Sequence, residues 1–258
     1  MSDDAVYVYA IGDAALAADL PAVAGVGGTL VRAVGSGALA AVASSVDAGE
    51  FGEDALRHNL EDLGWLADTA RAHHAVVDTV ARHHPIAPVR LATVYLDDAN
   101  VRALLDERAA AFTAALERVR GRTEWGVKAF AAPQAAEEPQ AAEPQPPAPS
   151  EAGPGTAYLM RRRAARNRAA ESRRSAADAA SRLHEELAGL AVANRRYPPQ
   201  DPQLTGSRDE MVLNAAYLVE NAGEAAVRRL VEERGAPGLR LQLTGPWAPY
   251  SFATLEET

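Results

Sequence analysis

Cysteine is missing altogether from the 258 residues, and aromatic side chains make up only 5% of them. The first absence excludes disulfides, thiolate nucleophiles, iron–sulfur clusters and cysteine-ligated zinc, and fits a reducing cytoplasm. Long hydrophobic runs are missing too. Asp13 and Asp19 interrupt the only early apolar stretch before a membrane span could form, and Met1-Ser2-Asp3-Asp4 lacks the basic region of a signal peptide. Basic residues are the minority: 26 Lys and Arg against 35 Asp and Glu leave a net charge of -9, a field that repels nucleic acid and anionic membrane. The expectation is a soluble, unexported protein, 48% apolar and long enough for two compact cores.

The pattern that remains is α+β. Residues 5 to 11 are apolar on both alternating faces and rich in β-branched and aromatic types, as in a buried central strand. Gly25, Gly27 and Gly28 mark a turn, and runs at 29 to 34 and 38 to 46 flank Gly35-Ser36-Gly37 as a hairpin. From 53 to 84, Leu56, Leu60, Leu63, Ala67, Ala70, His74, Val77 and Ala81 recur at spacings of four and three, the stripe of one amphipathic helix of about 45 Å. Pro85 and Pro88 stop it, and Val89 to Leu96 is extended. A second helix starts at Asp97 or Asp98, buries Val101, Leu105, Phe112, Leu116 and Val119, and ends at Gly121. The first domain is expected to span 1–121.

The second domain is expected over 122–258. A strand from Thr123 to Phe130 puts Trp125, Val127 and Ala129 on one face, and 131–153, built from Ala, Pro, Gln, Glu, Ser and Gly, reads as a disordered loop. Thr156 caps a long helix with a stripe of Ala165, Ala169, Ala176, Ala180, Leu183, Leu187 and Leu190. Strands follow at 192–197 and 210–219, then a helix at 223–234 and a strand alternating Leu239, Leu241 and Leu243 with polar residues. The order β, α, β, β, α, β is the ferredoxin-like arrangement.

Candidate chemistry is sparse. His73 and His74 are separated from His83 and His84 by roughly 15 Å along a helix, too far for one metal ion. His74 lies on the apolar stripe and reads as a core histidine, the others as surface groups. Gly25-Val26-Gly27-Gly28 lacks the Gly-Lys-Ser/Thr of a phosphate loop. No nucleophile elbow is present. The expectation is no catalytic residue, no cofactor, no metal and no enzyme activity. Arginines 161, 162, 163, 166, 168, 173 and 174 form the densest charge, leaving a regulatory or nucleic-acid-binding module as the alternative reading.

Several strings are not explained by packing: Tyr7-Val8-Tyr9-Ala10-Ile11, Pro88-Val89-Arg90-Leu91-Ala92-Thr93-Val94, Glu124-Trp125-Gly126-Val127-Lys128, Gly155-Thr156-Ala157-Tyr158-Leu159, Asn214-Ala215-Ala216-Tyr217-Leu218-Val219 and Leu243-Thr244-Gly245-Pro246-Trp247-Ala248-Pro249-Tyr250-Ser251-Phe252. In this order they resemble the GvpF/GvpL family of gas vesicle proteins. The family commonly has Arg-Phe-Gly-Thr where Arg90-Leu91-Ala92-Thr93 stands, and often Pro at Ala248.

The resemblance implies two domains, an N-terminal α+β domain and a modified ferredoxin-like C-terminal domain. It also implies a cytoplasmic assembly factor or minor vesicle component that binds the hydrophobic, GvpA-like shell protein and other accessory proteins, with neither nucleic acid nor membrane as partner. Trp247, Tyr250 and Phe252, with Arg90, Trp125 and Lys128, are the candidate contact residues. The aromatic tail either offers this contact area or folds back over the sheet, and Pro246 and Pro249 are expected to end the last strand.

Overall fold

The structure is a computed structural model and describes residues 4–131, 154–200, 209–235 and 238–253. All but the first residue of the loop expected at 131–153 lies outside the described residues. The chain forms two compact units, Met1–Glu124 with Gly245–Thr258, and Trp125–Thr244. This differs from a division into 1–121 and 122–258, because the C-terminal string returns to the first unit.

In the first unit, β1 (Asp4–Asp13) is central in a sheet ordered β2 (Val31–Ser36), β3 (Leu39–Asp47), β1, β4 (Ile86–Pro88), with β5 (Val94–Tyr95) also pairing β1. Helices cover both faces, which is why β1 is apolar on both. Tyr7 and Tyr9 share a core with Val76, Val77 and Val80 of α3 (Leu63–Ala81). Val6, Val8 and Ile11 share another with α4 (Asp98–Glu107) and α5 (Ala109–Val119). Alternation fails at a bulge, where Val8 pairs Ala43 and Ala10 pairs Val42; the extra residue puts Tyr9 and Ala10 into the same core. The β2–β3 hairpin closes through Gly37-Ala38, with Gly37 at φ 59, rather than through Gly35-Ser36-Gly37.

The helix expected over 53–84 is broken. After α1 (Ala48–Phe51), α2 (Glu53–Asn59) ends and Asp62 caps α3, its carboxylate accepting the N–H groups of Gly64 and Trp65. The break detaches Leu56 and Leu60 from α3, whose buried stripe is Thr69, His73, Val76, Val77 and Val80, while Leu63 is exposed. The helix after Asp97 also divides, at Arg108, yet all five expected apolar residues are buried.

The second unit is built from β6 (Arg122–Ala131), whose first three residues belong to the first unit, α6 (Pro154–Leu190), β7 (Ala193–Arg196), β8 (Glu210–Glu220), α7 (Glu224–Arg234) and β9 (Leu239–Trp247), whose last three residues belong to the first unit. The sheet order is β7-β8-β6-β9. One core holds Trp125, Val127 and Ala129 of β6, Leu213, Ala215, Tyr217 and Val219 of β8, and apolar residues of both helices. Gly126 is needed there: a Cβ would stand 2.6 Å from the Thr244 hydroxyl. Thr156 lies inside α6 rather than capping it, since the helix already begins at Pro154. Likewise β9 runs on through Pro246 to Trp247 instead of stopping before it.

Candidate functional site

The C-terminal string of the first unit is held at three levels. Glu124, buried at the start of β6, accepts hydrogen bonds from the Ser251 N–H at 2.8 Å and from the Ser251 hydroxyl at 2.5 Å. Ala248 joins the core containing Tyr7 and Tyr9, and Ala253 the core containing Phe112 and Leu116. Arg118 donates to the Phe252 carbonyl at 3.4 Å. Phe252 is therefore buried, Tyr250 is half-buried, and Trp247 keeps 39% of its surface exposed.

Trp247 stands against α3. The His74 ring lies 5.5 Å from Trp247 and 5.9 Å from Tyr250, nearly parallel to the latter at 24°, while its Nε2 is 3.4 Å from an Asp78 carboxylate oxygen. Burial, followed by the Asp78 and Tyr7 charges, pushes the Tyr250 phenol up from its ordinary range. Beside Trp247 a cavity of about 170 Å³ has Ala81, Pro85, Ile86, Val119, Pro246, Ala248 and Pro249 on its apolar wall and Asp78, Arg82, His84, Arg122 and Thr123 on its polar side. That is smaller than a typical small-molecule site and suits one inserted side chain.

Beneath this surface is a polar network inside the core. The Ala92 N–H donates to the Tyr7 hydroxyl oxygen at 3.0 Å, so the hydroxyl proton is available for Nδ1 of His73, also at 3.0 Å. Tyr9 donates to the Ser44 hydroxyl and accepts from the Val26 N–H. His73 is 4% exposed; burial, with the neighbouring His74 charge second, pulls its pKa down to about 4. The core histidine is thus His73, and His74 is partly exposed, the reverse of the sequence expectation. The reason is that α3 packs through its valine face, Val76, Val77 and Val80, and His73 shares that face.

The other candidate contact residues are dispersed. Trp125 is fully buried in the second unit, with the Arg228 guanidinium 4.4 Å above its ring, so it offers no contact area. Lys128 donates to the Gln200 side chain at 3.0 Å. Arg90 is exposed in the first unit, its carbonyl accepting from the Thr93 hydroxyl. Sequence reasoning missed Glu124 and Ser251 as the pair that holds this surface in place, and His74 as part of it. The one available signal was a carboxylate in an apolar strand, next to Trp125.

Among the described residues, no group of three or more His, Asp or Glu is placed to hold a metal ion, and no helix is long and apolar enough to cross a membrane.

Known proteins share this architecture. Residues 5–254 match the family described as gas vesicle synthesis protein GvpL/GvpF. Gas vesicle protein L of Streptomyces sp. (strain CB03234) is 46% identical over 233 residues, covering 90% of this chain and 86% of that protein. The crystal structure of GvpF from Anabaena sp. PCC7120 is similar with a TM-score of 0.66 at 20% identity, covering 98% of each chain. GvpF from Microcystis aeruginosa is similar with a TM-score of 0.64 at 17% identity, over 97% of this chain and 99% of that one. At these identities the structural likeness speaks for the fold.

Proposed function

This chain belongs to the gas vesicle GvpL/GvpF family, and on that membership we propose that it is a non-enzymatic accessory protein of gas vesicles. It acts in assembly, or as a minor vesicle component, by binding the hydrophobic shell protein and other accessory proteins in the cytoplasm and at the vesicle. A very apolar shell subunit needs a partner surface to cover it in water before it assembles.

The observation that carries the reading is the Trp247 surface. An exposed indole beside the half-buried Tyr250, rimmed by Pro246 and Pro249 and adjoining a cavity of side-chain size, has the composition of an interface anchor. Its rigidity comes from the Glu124–Ser251 clasp. The second unit is read as ferredoxin-like, supported by its order of elements and by the strand order β7-β8-β6-β9.

The test is a pull-down of purified shell protein by the full chain and by Trp247→Ala. Binding weakened about tenfold or more, with an unchanged urea midpoint, supports the reading. A folded variant that captures shell protein as well as the parent removes this surface. Gene deletion followed by electron microscopy addresses the role itself, since intact vesicles without the protein would refute a part in assembly.

A further inference from the structure

The first half of α6 extends beyond its packing. Its buried stripe, Ala176, Ala180, Leu183 and Leu187, lies against the sheet, whereas every described side chain from Tyr158 to Ala169 is exposed. Tyr158, Leu159 and Met160 are among the most exposed large apolar residues described. Glu171 is the only acid between 158 and 175. With 3.6 residues per turn, Arg162, Arg163, Arg166, Arg173 and Arg174 fall within an arc of about 120°, along roughly 18 Å of helix. Ala165 and Ala169 continue the buried stripe at the edge of that arc.

We propose that this arm docks an acidic amphipathic helix of a partner protein. The arginine arc supplies the complementary charge, and the alanine stripe lets a second helix approach closely along an apolar seam. A second copy of the arm does not fit, because like charges would face each other. Nucleic acid is disfavoured on two grounds. A long polyanion must pass the rest of a chain carrying -9, while a short acidic helix feels mainly what lies within a Debye length of about 8 Å. Only Tyr158 is at hand for base stacking. The inference uses a surface apart from Trp247 and stands if that surface fails.

The experiment measures fluorescence anisotropy of a labelled helical peptide of about 18 residues, with Leu and Ala on one face and Glu on the other, against the full chain. The comparison variant carries Arg162→Glu, Arg163→Glu and Arg166→Glu; Arg173, 3.3 Å from Glu210, is kept. Circular dichroism verifies that the helix is retained. Saturable binding that the triple variant weakens about tenfold or more, and that a peptide with Ser in place of Leu and Ala lacks, supports the proposal. Absence of binding overturns it, as does equal binding by the triple variant or tighter binding of a duplex oligonucleotide. Affinity that appears only after excision of residues 134–150 overturns it too, by assigning the arm to the chain's own acidic, Pro-rich stretch.

Discussion

Glu124 holds Ser251 with both of its carboxylate oxygens, one taking the backbone N–H and the other the hydroxyl. Glu124 is 9% exposed, so these donors stand in for water that its carboxylate has lost. Glu124→Gln keeps the shape but sets an amide NH₂ against a donor. We expect a loss of about 1–3 kcal/mol, read as a lower urea midpoint at unchanged m-value. Ser251→Ala leaves the N–H bond intact and should cost about 1 kcal/mol.

Ala92 adopts φ 61, a left-handed conformation that L side chains resist. The geometry is held because its N–H must reach the Tyr7 hydroxyl. Ala92→Gly is expected to stabilise the chain by about 0.5–1 kcal/mol after the entropy of the added glycine is counted, and a raised thermal midpoint would register it.

Gly25 requires its missing side chain for a different reason, since a Cβ there would lie 2.3 Å from the Tyr9 hydroxyl and 2.5 Å from that of Ser44. Gly25→Ala should cost about 2 kcal/mol or more, by pushing apart a buried hydrogen-bonded pair. The Tyr9→Phe background should recover part of that loss in a double-mutant cycle.

His73 makes stability depend on pH. Its folded pKa of about 4 lies below the ordinary 6.5, so the unfolded chain binds a proton that the folded chain refuses. Stability is full above 6.5, falls as the pH drops, and levels off near 4, a total of roughly 3 kcal/mol. His73→Gln should flatten the urea midpoint between pH 7 and 4; an unaltered slope would assign the dependence to other groups.

The two tryptophans of the family strings should separate fold from surface. Trp125→Ala empties a fully buried site under the Arg228 guanidinium and should cost about 3–5 kcal/mol. Trp247→Ala should stay within about 1 kcal/mol of the parent.

Strand and helix identity was legible where packing is periodic: Val101, Leu105, Phe112, Leu116 and Val119 were all found buried, even across a break at Arg108. Phase was not legible where a local hydrogen bond outweighs periodicity. Asp62 caps α3 in the middle of an apparently continuous stripe, and the restarted helix buries its valine face, Val76, Val77 and Val80, which carries His73 rather than His74. The bulge at Tyr9 leaves no mark in composition, because both faces of β1 are apolar. The surface around Trp247 joins residues from α3, β6 and the tail, and proximity across such sequence separations has no local signature. Trp125 and Phe252 share the residue types of interface anchors but are core.

The chain enters the second unit after Glu124 and comes back at Gly245, which sets an order of events during synthesis. When Glu124 leaves the ribosome its clasp partner does not yet exist, and the first unit waits for residues 125–244, on the order of ten seconds of translation. Until then both of its cores lack a plug, Ala248 in one and Ala253 in the other. A nonsense codon just ahead of Gly245 would therefore injure the unit made before the second one.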